Sequence, residues 1–298
     1  MLFRSGGATF AGALRKHPDT FNELYTNLIV AGDEGGILDN ILLRLSNYIE
    51  KAVALKKKVR SALVYPSVIV GVAIAVVMIL IIFVIPVFEQ MFKSAGQTLP
   101  LPTLIVLALS KFIKTYIIII IPVAILLIFL IRKFYKTEKG QTLIDRLLLK
   151  LPVFGMLLNK IAVARFSRTL GTLVSSGVPI LYGLNIVSKT SGNKIIEVAL
   201  QNARASIREG ETIAEPLNRS SIFPPMVIQM ISIGESTGSL DTMLSKIADF
   251  YEEEVDIAVS NMTSLLEPFL MIFLGLVIGG VVIAMYLPIF QMASAVGG

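Results

Sequence analysis

Three long stretches without charge interrupt an otherwise mixed chain. No Asp, Glu, Lys, Arg or His occurs in residues 61–88, 115–131 and 268–298. A helix needs about 20 predominantly apolar residues to cross the roughly 30 Å hydrocarbon core of a bilayer. The pattern therefore predicts a multi-pass membrane protein with three transmembrane helices. Their apolar centres lie at residues 68–85, 116–131 and 269–287.

Between the charge-free stretches, the hydrophobic pattern is helical. Apolar or small residues recur three or four positions apart along residues 38–62, as they do on one face of a helix. Further helices are predicted at residues 164–176, 180–190, 195–208 and 226–233, bounded by Gly- and Pro-containing turns. The sequence contains no alternating β pattern of useful length. We therefore expect an all-α fold.

The two halves of the chain repeat one unit at an offset of 202 residues. The matched positions include Gly32 with Gly234, Asp33 with Glu235, Gly36 with Gly238, and Pro66 with Pro268. These matches fall at a turn and at the entrance to a span, so they predict two repeated helical-bundle domains, each leading into a transmembrane helix. Helical sequence precedes the second copy but not the first. The first bundle is therefore expected to be N-terminally incomplete, through the choice of chain boundary or a late start codon.

Charge predicts the orientation in the membrane. The net charge is +6, and Lys and Arg cluster before the first span and after the second. Positive residues favour the cytoplasmic side, which explains the charge without nucleic-acid binding. The predicted order is a first cytoplasmic domain at 1–65, spans at 66–88, 116–131 and 267–290, an external loop with a short helix at 89–115, a second cytoplasmic domain at 132–266, and an external tail at 291–298.

Candidate chemistry is sparse. The chain has no Cys and one His, which excludes catalytic or metal sites built from several of these residues. The acidic run Glu252–Glu254 is interpreted as a solvated helix face, with a cation or a partner's basic patch as the alternative. Mid-membrane ionisable groups, typical of transporters and pumps, are missing from the spans. We expect no catalytic residue, cofactor or metal, and a scaffold instead of an enzyme.

The remaining candidate residues are structural or partner-binding. Gly32, Gly36, Gly234 and Gly238 are expected to let the chain reverse between antiparallel helices. The acidic residues of these turns are Asp33 and Glu235. We interpret them as part of the structural turn, with binding of a cation or a partner as the alternative. Further candidates are Gly275 and Gly279, a small-residue face for close helix packing or a dimer contact, and Glu267 beside Pro268 at the cytoplasmic edge of the third span.

Three segments resemble the secretion F family, the polytopic platform proteins shared by type IV pilus and type II secretion machines. They are the stretch from Lys58 through Tyr65-Pro66, the stretch from Arg165 through Gly177-Val178-Pro179, and the two glycine turns at 31–36 and 233–238. The resemblance covers essentially the whole chain. It departs from the family at Asp33, where Glu is usual, and at the missing start of the first domain.

This resemblance implies a platform in the bacterial cytoplasmic (inner) membrane, surrounded by lipid. Because one chain has only three spans, we expect it to work as a homo-oligomer. It also implies three kinds of partner: hexameric assembly ATPases, pilin or pseudopilin subunits that are inserted or extracted, and inner-membrane alignment proteins. The long helix through Tyr65 and Pro66 is expected to pass rotation or displacement to the membrane. A small-solute channel or transporter subunit and a membrane signalling receptor are the alternatives from other classes.

Overall fold

The computed structural model describes residues 9–18, 20–94 and 101–296. Every regular element within these ranges is helical, as the sequence predicts. The helices are α1 (Phe10–Leu14), α2 (Glu23–Gly35), α3 (Leu38–Ile79), α4 (Ile85–Ser94), α5 (Leu101–Tyr135), α6 (Glu138–Lys150), α7 (Phe154–Ser175), α8 (Ile180–Thr190), α9 (Lys194–Arg208), α10 (Ala214–Arg219), α11 (Pro225–Thr237) and α12 (Leu240–Val296). The all-α fold class is confirmed.

Three helical segments of the described chain are long and apolar enough to cross a membrane, which confirms the predicted number. They are Leu38–Phe88, Thr103–Tyr135 and Leu240–Ala284. In the most apolar 18-residue stretch of each segment, at most 11% is buried within the protein. Such a large exposed apolar surface requires a non-aqueous surrounding. Helices α6 and α7 are together also apolar enough, but they bend by 111° at the turn between them.

Contacts divide the chain into two compact units. Unit 1 comprises Met1–Val59 and Tyr135–Val259, which are mostly the segments predicted to be cytoplasmic. Unit 2 comprises Arg60–Phe134 and Ser260–Gly298, which hold the predicted spans. All three divisions between the units fall inside helices: within α3, within α12, and before Tyr135, the last residue of α5. Each of these helices therefore contributes residues to both units.

The core of unit 1 is built from the apolar faces of its helices. Phe166 is 1% exposed, and its ring lies 4.8 Å from the ring of Phe223. The fully buried aliphatic side chains of this unit include Leu28, Ile41, Leu170, Leu173, Leu184 and Leu200. The predicted apolar face of α3 is buried at Ile41 and Leu45 but exposed at Ala52. Leu55, further along the same face, is buried again, so the bundle encloses the face as far as Leu55, with an exposed position at Ala52.

Unit 2 contains a small apolar core and a buried hydroxyl contact. Ile81, Ile85, Leu107 and Val281 form its buried cluster. The chain makes a π-helical turn at Leu80–Val84, and the hydroxyl of Ser110 donates to the carbonyl oxygen of Ile81 at 2.6 Å. A π turn widens the helix and alters its ladder of hydrogen bonds. The Ser110 hydroxyl thereby adds a polar link from α5 to this irregular turn.

Candidate functional site

The two predicted glycine turns have the same backbone geometry. Helix α2 ends at Gly36 with φ 66° and ψ 18°, and α11 ends at Gly238 with φ 69° and ψ 15°. In the first turn the N–H of Ile37 donates to the carbonyl oxygen of Gly32 at 3.0 Å, and the corresponding bond in the second turn is 2.9 Å. A helix that ends in a left-handed residue, with a hydrogen bond from the next N–H back to a carbonyl oxygen five residues earlier, has a Schellman motif. Glycine is favoured at the left-handed position.

The buried glycines of these turns allow two helices to approach closely. A Cβ atom added to Gly32 would lie 2.9 Å from Cγ1 of Ile41 on α3. A Cβ atom added to Gly234 would lie 2.9 Å from Cα of Leu240 on α12. Both distances are shorter than ordinary van der Waals contact, so neither position has room for a side chain. In both turns, a buried glycine therefore allows a helix to pack closely against the helix that follows it.

The acidic residues of the turns have different surroundings. Both carboxylate oxygens of Glu235 accept the N–H of Ile213 at 2.9 Å, which joins α11 to the start of α10. Asp33 lies in the last turn of α2 and is exposed to solvent. Glu235 therefore has a structural contact. Cation or partner binding at either position stays a prediction.

A group of opposite charges connects α3, α7 and α12 within unit 1, and we call it the charged seam. At its centre, Nε of Arg168 donates to Glu252 at 2.8 Å and its Nη2 to Asp249 at 2.5 Å. Nζ of Lys51 lies 3.4 Å from the same Glu252 carboxylate. The full set comprises Lys51, Lys58, Lys160, Arg168, Asp249, Glu252, Glu254 and Asp256. Helices α3 and α7, from distant parts of the sequence, are therefore both paired with acidic side chains of α12.

The outer pairs of the charged seam extend it along α12. Nζ of Lys160 on α7 lies 2.6 Å from Glu254, and Lys58 on α3 pairs with Asp256. Among the three consecutive glutamates, Glu253 is exposed, whereas Glu252 and Glu254 are partly enclosed. The sequence interpretation of a solvated face therefore holds for Glu253 and is wrong for the other two. Their partners lie far away in the sequence, so the local pattern did not reveal the pairing.

The side chains at the centre of the charged seam are largely buried. The side chains of Arg168 and Glu252 are 16% and 17% exposed. Burial opposes the charge of Arg168, but its hydrogen bonds and attraction to Glu252 and Asp249 outweigh this effect and raise the pKa of the guanidinium. Arg168 therefore stays charged throughout the physiological pH range. Beside it, the hydroxyl groups of Tyr48 and Thr169 lie 3.3 Å apart and add a neutral contact between α3 and α7.

The other predicted junction residues occupy helix interiors and ends. Tyr65 and Pro66 lie inside α3, which continues past them to Ile79. Glu267 and Pro268 are exposed within α12. Both proline positions thus lie in continuous helical segments and not at breaks.

Gly177 and Pro179 form the turn between α7 and α8. Gly177 has φ 80°, a left-handed conformation that favours glycine, and Pro179 immediately precedes α8. The N–H of Val178 donates to the carbonyl oxygen of Leu173 at 3.0 Å and closes the end of α7. These residues are therefore placed as helix-ending residues.

Gly275 and Gly279 leave an open face on α12. Within the described chain, no atom outside the local helix lies within 4 Å of a Cβ added at either position. The close packing or dimer contact predicted for them stays a prediction. The described residues also contain no group of three His, Cys, Asp or Glu placed to hold a metal ion.

Comparison with known proteins assigns the family. The family described as type II secretion system (T2SS), protein F, matches residues 3–86 and 166–288. The chain is 49% identical over 290 residues to the type IV pilus assembly protein PilC of Myxococcus xanthus, covering 97% of this chain and 70% of that protein. It is 43% identical over 294 residues to PilC of Pseudomonas aeruginosa, covering 98% and 79% of the two chains.

A third relative comes from a secretion machine. The type II secretion system protein F of Pseudomonas aeruginosa is 33% identical over 291 residues, which cover 98% of this chain and 72% of that protein. The chain belongs to the type II secretion system protein F family, which also includes these pilus assembly proteins. It is a membrane protein of this family and not an enzyme. The resemblance predicted from the sequence is confirmed.

Proposed function

We propose that the chain is an inner-membrane platform that couples cytosolic assembly ATPases to the insertion and extraction of pilin or pseudopilin subunits. The observation that carries this proposal is the 49% identity to a type IV pilus assembly protein over 97% of the chain. The three candidate spans support a position in the membrane. Because the relatives include both pilus assembly and secretion system proteins, the proposed platform role is one that pilus and secretion machines share.

In this proposal both soluble segments, 1–65 and 132–266, face the cytosol, and the C-terminal end of the chain lies outside. The Lys and Arg residues next to the first two spans support this orientation. The proposed partners are hexameric ATPases on the cytosolic side, with pilin or pseudopilin subunits and inner-membrane alignment proteins at the membrane. Several copies of the chain work together as a homo-oligomer.

The proposed mechanism is mechanical and uses two long helices. Helix α3 runs unbroken from Leu38 to Ile79, and α12 runs from Leu240 to Val296. Within unit 1, the charged seam joins α3 to α12 through Lys51 and Glu252. A force on the soluble part of one helix is therefore shared with the other. Because a continuous helix is stiff, each helix then passes the displacement along its own axis toward its span.

Reconstitution tests the proposal against the channel alternative. The full chain is placed in lipid nanodiscs and mixed with the assembly ATPase encoded in the same genome. We expect the two proteins to elute as one complex and the chain to stimulate ATP hydrolysis. In liposomes, the chain alone is expected to give no small-solute flux. Flux without ATPase binding would reject the platform and support a channel.

A further inference from the structure

Helix α6 presents an exposed face that combines leucines with cations. The face, which we call the α6 outer face, consists of Lys139, Leu143, Arg146, Leu147 and Lys150. Lys139, Leu143, Arg146 and Lys150 are three or four positions apart, and Leu147 follows Leu143 by four, so all five lie on one side of the helix. All five are exposed, and the leucines at 143 and 147 are 52% and 57% exposed. Unit 1 therefore does not use these leucines in its core.

The opposite face of α6 is fixed to unit 1. Asp145 is 2% exposed, and its carboxylate accepts the backbone N–H of Lys194 at 2.7 Å and the hydroxyl of Tyr135 at 3.1 Å. These contacts hold the orientation of α6 around its own axis. The α6 outer face consequently remains turned away from the bundle.

The apolar surface continues into the turn between α6 and α7. Leu151, Phe154 and Met156 are 47%, 43% and 64% exposed. Between them, Val153 has φ 67° and ψ −59°, and the N–H of Phe154 donates to the carbonyl oxygen of Pro152 at 2.8 Å. This is a γ-turn with positive φ, which is rare and strained, especially for a β-branched residue.

A neighbouring glycine completes the tight turn. A Cβ atom added to Gly155 would clash with the carbonyl oxygen of Leu149, so only glycine fits there. Local strain that persists in a structure is often found at functional sites. Here the strained turn holds large apolar side chains at the surface.

The position of α6 along the chain places it near a membrane. Helix α5, which holds a candidate span, ends at Tyr135, and α6 begins at Glu138 after two intervening residues. Two linking residues allow a separation of about 10 Å at most between these helix ends. The end of α5 is basic, with Arg132 and Lys133 in its last turn. Helix α6 therefore starts close to the level of the lipid headgroups.

Composition favours a position on the membrane surface over a position across it. Together α6 and α7 are apolar enough for a span, but the 111° bend between them prevents a straight crossing. The three cations of the α6 outer face would be expensive in hydrocarbon but are favourable beside anionic headgroups. A basic helix with an apolar component is typical of an interfacial helix.

We propose that the α6 outer face and the α6–α7 turn bind the surface of an anionic phospholipid bilayer. Leu143, Leu147 and the apolar residues of the turn insert at the boundary of the acyl chains. Lys139, Arg146 and Lys150 contact anionic phosphate groups. This contact orients unit 1 against the membrane, and it does not depend on the platform role.

Site-directed spin labelling tests this contact in the full chain. The chain has no cysteine, so Leu147→Cys carries a single nitroxide label. Asn202→Cys on α9, which is exposed and lies outside the proposed surface, is the matched control. Both proteins are reconstituted in nanodiscs of phosphatidylcholine alone or mixed with phosphatidylglycerol. Collisions of the label with oxygen, which partitions into lipid, are compared with collisions with a water-soluble nickel complex.

We expect the ratio of oxygen to nickel collisions at position 147 to exceed that at position 202 several-fold in discs that contain phosphatidylglycerol. Replacing Lys139, Arg146 and Lys150 by Gln should abolish the increase caused by phosphatidylglycerol while the helical content stays unchanged. Equal ratios at 147 and 202 in both lipids would overturn the proposal. Loss of both kinds of collision at 147 would also overturn it, because this result indicates burial against protein, such as a second copy of the chain.

Discussion

Arg168 and Glu252 form the centre of the charged seam, with Nε of the arginine 2.8 Å from the carboxylate. The two residues are 84 positions apart and bring α7 and α12 together. Lys51, from the first half of the chain, lies 3.4 Å from the same carboxylate. One partly buried glutamate of α12 is therefore paired with cations from both α3 and α7.

Replacing Arg168 tests the contribution of this centre to stability. Arg168→Ala removes the closest donor of the partly enclosed Glu252, which keeps only Lys51 at 3.4 Å, and the donor of the exposed Asp249. The free energy of unfolding should fall by about 1–3 kcal/mol, as is typical when a charged group loses its partner. Thermal unfolding in detergent, followed by helical circular dichroism, measures the effect. Arg208→Ala, at an exposed arginine in α9, should change the midpoint little, and equal midpoints for the two variants would contradict the assignment.

Cross-linking tests the pairing of α3 with α12. The chain has no cysteine, so the double variant Lys58→Cys, Asp256→Cys contains only the two introduced thiols. A short bismaleimide reagent can then join these two thiols. We expect efficient linkage, detected by mass spectrometry of the joined peptides. The control pair, Lys58→Cys with Lys246→Cys, moves the second thiol about 15 Å along α12 and should link poorly. Equal linkage of the two pairs would show that the helices are not held in this register.

The glycine turn between α11 and α12 has no room for a side chain at Gly234. Gly234→Ala places a methyl group 2.9 Å from Cα of Leu240, and this overpacking should destabilise the protein by about 1–3 kcal/mol. Gly279→Ala makes the same change inside a helix but points into open space, and it should be neutral or slightly stabilising. Thermal midpoints of the two variants provide the comparison. A Gly234→Ala protein as stable as Gly279→Ala would show that the turn has room to relax.

Asp145 is predicted to hold the start of α9. Asp145→Ala removes the acceptor for the N–H of Lys194 and should destabilise unit 1 by about 1–3 kcal/mol. Asp145→Asn keeps an acceptor oxygen and should have a smaller effect. Hydrogen exchange at the first amides of α9 should speed up most in the alanine variant. Unchanged exchange in both variants would mean that this contact does not stabilise the helix.

Local sequence signals predicted many helices well. The helix expected at residues 180–190 is α8, with the same bounds, because the preceding Gly-Val-Pro turn marks its start. The helix expected at 195–208 begins one residue earlier, at Lys194, where the side chain of Asn193 caps the free N–H groups. The glycine turns and the three apolar stretches were equally visible, since each depends on residues that are close in sequence.

Long-range pairing could not be predicted in this way. Nothing local connects Lys160 with Glu254 or Lys51 with Glu252, because these contacts depend on how distant helices pack. Helix α6 was not predicted, since its leucines lie partly on an exposed face and do not give a simple core pattern. The division into two contact units, each assembled from separated segments, likewise depends on tertiary structure.

The most direct test of mechanical coupling interrupts α3 between Tyr65 and Pro66. A flexible Gly/Ser segment is inserted there in a bacterium that depends on this chain for filament assembly, and the same segment is inserted after Gly210, an exposed turn, as the control. Membrane extraction confirms that both proteins are inserted. We predict that the first insertion abolishes filament assembly and that the second preserves it. Wild-type assembly with the segment between Tyr65 and Pro66 would contradict transmission of force through this helix.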